Sequence, residues 1–147
     1  MTSDRTILIT GVTGNQGGAV AQALQGTGFH LRGLTRRPEG ERAAALARQG
    51  VDVVKGDLDD EATLRHALAG AWGVFGLQNT WEAGVEREEA QGKRLAKLAR
   101  EVGVEHYVYT SVGSAHKQTG VPHFDSKWRI EETVRGLRFP SFYGFVD

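Results

Sequence analysis

The stretch Arg5 to Gly18, reading RTILITGVTGNQGG, limits what this chain can fold into more than any other. Ile7, Leu8 and Ile9 form a short apolar run that reads as a buried parallel strand, and glycines follow at once at positions 11, 14 and 17. Asn15 and Gln16 are polar helix starters, so a helix of small residues is expected from near Gly18. A strand, a tight turn and a helix N-terminus leave unpaired N–H groups and the positive end of a helix dipole facing outward, and glycine lets a ligand approach the backbone. A pyrophosphate suits such a place. Three glycines at these intervals arise easily in a chain that has 20 of them. Their setting makes them informative: they follow a strand directly, and the sequence after them keeps alternating strand and helix signals. The plain alternative is a glycine-rich βα turn that holds nothing.

Val20, Ala23 and Leu24 give the first helix an apolar side, and Gly26-Thr27-Gly28 stops it. Phe29 to Thr35 is the expected second strand and Glu39 to Gln49 an alanine-rich helix. Val51 to Val54 is the third strand, followed by a helix from Asp60 to Ala69 with Asp59 as its expected N-cap. Trp72 to Leu77 is the fourth strand. The longest helix spans Val85 to Val102, where Leu95, Leu98, Ala99 and Val102 keep a 3.6-residue period. Val104 to Thr110 is the fifth strand, Phe124 to Arg135 a helix, and Phe139 to Val146 a sixth strand. This rhythm needs right-handed crossovers and therefore predicts an α/β fold: a doubly wound parallel sheet of the Rossmann kind, three-layered, in strand order 3-2-1-4-5-6, with its ligand crevice at the carboxyl ends of the strands.

Length and composition remove several classes. The 147 residues suit a single dinucleotide-binding domain. With no cysteine there is no disulfide, thiolate nucleophile or cysteine zinc site. Eighteen basic and eighteen acidic side chains cancel, which gives no support to direct nucleic-acid binding or to an anionic membrane surface. No apolar run approaches the roughly 20 residues of a membrane span, and a reducing cytoplasm is the expected setting. His30, His66, His106, His116 and His123 are scattered without metal-ligand spacing, so no metal is expected.

In such a fold an acidic residue at the end of the second strand binds the ribose 2′-hydroxyl. Here that position carries Thr35, Arg36 and Arg37, with no acid before Glu39. Two guanidiniums there favour a 2′-phosphate, hence NADP(H) over NAD(H), with Arg36 the better placed of the pair; the alternative is a pair of solvated arginines. Asp57 either accepts from the adenine amino group, with Leu58 against the ring, or caps the next helix.

With these pieces assembled, the chain resembles the NmrA-like family, a branch of the atypical short-chain dehydrogenases and reductases. The matching segments are TGVTGNQGG (10–18), LTRRP (34–38), KGDLDD (55–60), FGLQNTWE (75–82), QGKRLAKLAREVGVEHYVYTSV (91–112) and HFDSKW (123–128). The resemblance implies that Gly11, Thr13, Gly14, Asn15, Gln16 and Gly17 meet the pyrophosphate and Arg36 the 2′-phosphate. It further implies that Asp57 and Leu58 lie at the adenine, Gln78 and Asn79 along the nicotinamide side, and Lys127 at the nicotinamide ribose. Members bind NADP or NAD; several are redox-responsive regulators with protein partners, and relatives are reductases.

Short-chain dehydrogenases pair tyrosine and lysine as Tyr-x-x-x-Lys, one helical turn apart, so that the phenol moves the proton. The corresponding residues here are His123 and Lys127, and the tyrosine is missing. His123 either transfers a proton or packs at the helix entry, and Lys127 either serves the cofactor or pairs with Glu131. Ser111 either stands near the nicotinamide or forms a turn. The resemblance also implies a small substrate-covering domain that this chain lacks, and leads to the expectation of a truncated or divergent end. An exposed apolar sheet edge near 139–146, suited to self-association, is then expected. The leading expectation is a redox-sensing NADP(H) binder; an NAD(P)H-dependent reductase of quinone-like or carbonyl acceptors is the alternative, and an inert remnant is the third.

Overall fold

The computed structural model describes residues 5–77, 84–111 and 122–146, with the side chains of 111, 122–124 and 143–146 outside that description. Its elements alternate as β1 (Thr6–Ile9), α1 (Asn15–Leu24), β2 (His30–Thr35), α2 (Glu41–Arg48), β3 (Asp52–Lys55) and α3 (Glu61–Leu68). They continue as β4 (Gly73–Gly76), α4 (Val85–Glu101), β5 (His106–Ser111), α5 (Pro122–Gly136) and β6 (Ser141–Val146). The sheet runs β3-β2-β1-β4-β5-β6, all pairs parallel, as the sequence predicts.

The strands are apolar on both faces because both faces are covered. In β1, Leu8 joins one buried cluster and its neighbour Ile9 the other; in β4, Val74 and Phe75 divide the same way. The larger cluster packs Leu64 and Leu68 of α3, Leu95 and Ala99 of α4 and Ile130 and Val134 of α5 over the sheet. On the opposite face Ala21 of α1 and Leu46 of α2 meet Ile9, Val12 and Leu31. Among the described residues no helix is long and apolar enough to cross a membrane.

Four helix starts differ from the sequence reading, and the strand ends shift by one or two residues. The first helix starts at Asn15, three residues early, because extended Gly14 serves as its N-cap and accepts from Gly18 N–H at 2.9 Å. The second helix waits until Glu41, since Gly40 N–H closes a turn onto the Arg37 carbonyl at 3.0 Å. Asp60, not Asp59, caps α3, accepting from the N–H groups of Ala62 and Thr63. The last helix begins at Pro122, where the preset φ of proline suits a first turn.

At the amino ends of the strands an aromatic stack ties β2, β4 and β5 together. The Trp72 ring lies 5.7 Å from Phe29 and 5.3 Å from His106, with the Arg5 guanidinium 4.6 Å over its centre. Its Nε1–H donates to Glu105 at 3.0 Å, and burial pushes the His106 pKa below its ordinary value. The expected apolar edge is not found where side chains are described: Phe139 is buried and stacked on Tyr107 at 4.8 Å, and Phe142 is half-buried under the Arg135 guanidinium.

Gly17 fits only as glycine. A Cβ there would stand 2.1 Å from the Gly11 carbonyl oxygen, which is backbone and cannot step aside without moving the turn. Gly17→Ala is expected to lower stability by about 1–3 kcal/mol, the usual cost of overpacking, as read from urea unfolding. A variant as stable as the parent would show that the turn yields freely.

Candidate functional site

The carboxyl ends of β1, β2 and β3 open into a cavity of about 720 Å³. Its floor is the turn after β1, where Gly11 takes φ +62°, a left-handed conformation in which a side chain would be strained, and where a Cβ would stand 3.0 Å from Leu77. Gly11, Thr13 and Gly14 line it there, Arg36 and Arg37 after β2, Asp57 and Leu58 after β3, and Leu77 beyond β4. Glu41 and Arg42 enter from α2, and Arg87 and Gln91 from α4. Four guanidiniums therefore share this wall with two carboxylates, those of Glu41 and Asp57.

Side chains that the sequence reading passed over hold the floor in shape. Thr10 is fully buried; its hydroxyl accepts from Leu77 N–H at 2.7 Å and lies 3.1 and 3.0 Å from the carbonyls of Phe75 and Leu77. It fastens the end of β4 to the mouth of the glycine turn. Arg42 donates to the Thr13 carbonyl at 2.8 Å, linking α2 to the same turn. Nothing in an alanine-rich helix marks Arg42 as different from its neighbours, whereas a threonine between strand and first glycine is a visible signal.

The wall after β3 is fixed from α4. Arg94 donates to the Leu58 carbonyl at 2.7 Å, and Arg87 Nε donates to Asp59 at 2.7 Å. The Arg87 hydrogen bond beside it holds the Asp59 carboxyl below its ordinary pKa, with Gln91 and Arg94 acting the same way against burial. Asp57 spends one carboxylate oxygen on the Asp59 N–H at 2.8 Å and its own N–H on Thr63, which ties its loop internally; capping of the helix falls to Asp60.

Of the residues singled out in sequence, Gly11, Thr13, Gly14, Arg36, Arg37, Asp57 and Leu58 thus meet at one cavity. Asn15 and Gln16 fall in the first turn of α1 and Gly17 is buried beneath it. Gln78 and Asn79 lie outside the described residues, as does the side chain of His123. Lys127 does not pair with Glu131, which bonds Arg135 at 3.0 Å. It pairs instead with Glu88 of α4 at 3.1 Å, a carboxylate with no exposed surface. Ser111 ends β5. Among the described residues no cluster of His, Asp or Glu could hold a metal ion.

A parallel sheet in this order with a glycine turn under a helix start defines the Rossmann class of dinucleotide-binding folds. Within that class the chain belongs to the NmrA-like family, whose pattern matches residues 3–146. It is 34% identical over 142 residues to the NmrA-like family domain-containing oxidoreductase himF of Aspergillus japonicus, a match covering 90% of this chain and 43% of the relative. Among solved structures, the Citrobacter sp. triphenylmethane reductase complexed with NADP(H) superposes with a TM-score of 0.82 at 27% identity, covering 97% of this chain and 49% of that one. The negative transcriptional regulator NmrA in complex with NADP gives 0.81 at 27% identity, covering 95% and 44%; NmrA is also known in complex with NAD. The chain spans a little under half the length of these relatives.

The Asp59 clamp carries a pH signature. A carboxyl whose pKa is lowered on folding stabilises the fold fully above its unfolded pKa, and that contribution is lost as pH falls through the lowered folded value. Asp59→Asn should therefore be less stable than the parent at pH 7, with the gap closing below about pH 4. Urea unfolding at both pH values reads this; a gap independent of pH would mean that the charge of Asp59 contributes nothing.

Proposed function

We propose that this chain is an NADP(H)-binding NmrA-like protein, with the pyrophosphate on the turn from Gly11 to Gly14 and the first N–H groups of α1. The observation that carries this reading is the convergence of Arg36, Arg37 and Arg42 on the wall beside that turn, where Glu41 is the acid that α2 brings into the lining. Guanidiniums offer paired N–H donors to a 2′-phosphate, which a carboxylate in their place would repel. The cavity fits the nucleotide in kind: glycine backbone at the floor, Leu58 and Leu77 as apolar wall, cations at the rim. Asp57 and Leu58 would then face the adenine, and Gln78, Asn79 and Lys127 the nicotinamide half.

Two uses of the bound nucleotide have support. In the regulatory one, occupancy orders the loops after β2 and β4 and changes a surface read by a protein partner. The missing tyrosine at His123 and the likeness to NmrA favour it. In the catalytic one, the chain holds the nucleotide for reduction of a quinone-like or carbonyl acceptor, favoured by the oxidoreductase relatives and by the triphenylmethane reductase. The nicotinamide supplies the hydride when bound, so the protein's part is to bind, orient and exclude water. His123 or Lys127 would attend to the proton.

Titration with NADPH and NADH, followed by nicotinamide fluorescence, tests the binding claim. NADPH should bind more tightly, and Arg36→Ala should weaken it on the order of ten- to hundredfold while leaving NADH nearly unchanged. Equal losses for both nucleotides would remove the assignment of the 2′-phosphate to Arg36. Oxidation of bound NADPH by quinone or carbonyl acceptors would establish the reductase, and saturable binding without turnover the regulator.

A further inference from the structure

The least expected group in the fold is the Glu88 carboxylate. It stands in the first turn of α4 with 0% exposure, and its partner is the Lys127 ammonium of α5, itself 12% exposed, at 3.1 Å. A buried ion pair in an apolar helix interface adds little net stability, because removing both charges from water costs about as much as their attraction returns. A hydrophobic pair would close the same interface. What the carboxylate adds is direction: it fixes where a four-carbon flexible side chain ends.

The helices are built to bring the two together. One turn beyond Glu88, Gly92 lets α5 come so near that a Cβ would meet three Ile130 side-chain atoms at 2.7 to 2.9 Å. Ile130 lies one turn beyond Lys127, so this close contact sets the register that faces Lys127 to Glu88. On the outer side Glu89 binds both Lys93 and Arg129, repeating the link between the helices. Tyr109 of β5 lies beneath with its hydroxyl buried; burial first, then the charge of Glu88, raises its pKa and keeps the phenol neutral. Both Glu88 and Lys127 sit near helix starts that follow β4 and β5, at the carboxyl rim of the sheet and across β1 from Arg36. Arg87 and Gln91, neighbours of Glu88 on α4, already line the cavity.

We infer that Glu88 is a positioning residue: it holds the Lys127 ammonium at the rim over β4 and β5, where the nicotinamide ribose of a bound dinucleotide would lie. This rests on the NADP(H) reading above and deepens it by naming the residue through which Lys127 is aimed.

The test compares NADPH with 2′,5′-ADP, which carries the adenosine and 2′-phosphate but no nicotinamide half, using calorimetry on the parent, Glu88→Gln, Lys127→Met and the double variant. Glu88→Gln should weaken NADPH on the order of tenfold and leave 2′,5′-ADP unchanged. In the Lys127→Met background the same change should cost nothing further, since no ammonium remains to be aimed. Glu88→Asp, which keeps the charge but draws it back by one methylene, should fall between; it serves in place of Glu88→Gln should that variant not fold. Equal loss of both ligands would reduce Glu88 to a packing role and overturn the inference, as would additive losses in the double variant. A parent that binds neither ligand would instead overturn the NADP(H) reading, so the two failures are distinguishable.

Discussion

The contact between Gly17 and the Gly11 carbonyl governs the working end of this molecule. It seats the first turn of α1 directly on the turn after β1, whose Gly11, Thr13 and Gly14 line the cavity. The position of Gly14 as N-cap follows from that seating, and so does the hydrogen bond of Thr10 across to β4, since both need the turn drawn down onto the sheet. A helix set even one methyl group higher would leave a turn without its floor.

Around that floor the protein uses charges in two different ways. The guanidiniums of Arg36 and Arg37 stand at the surface after β2, where water can solvate them at little cost. The pairs Asp59 with Arg87 and Glu88 with Lys127 are spent on shape, fastening a loop to a helix and a helix to a helix. Of these two pairs only Glu88 with Lys127 is buried, and a buried ion pair is no better for stability than a hydrophobic one, whereas Arg87 stays largely in water. The Glu88–Lys127 pair is better understood as placement of a wall than as a contribution to folding.

The sheet order was legible in the sequence because the alternation of short apolar runs with amphipathic helices permits few right-handed arrangements. Family, glycine turn and arginine pair were legible for the same reason: they are local, contiguous and chemically distinctive. Asp59 and Asp60 could not be told apart, because which carboxylate caps a helix depends on one residue of chain direction, and the other here is drawn off by Arg87 of a distant helix. Glu88 was invisible in EREEAQ, a stretch whose acids all suit a solvated helix start; only the approach of α5 distinguishes the one that is buried. Arg42 was hidden likewise, its partner being a carbonyl 29 residues away.

The Trp72 stack stands at the amino ends of the strands, opposite the cavity, with Phe29 and His106 against its ring and Glu105 on its indole nitrogen. A chromophore enclosed in this way responds to the integrity of the strand starts and is remote from any guest at the opposite rim. Its emission therefore follows the melting of the sheet.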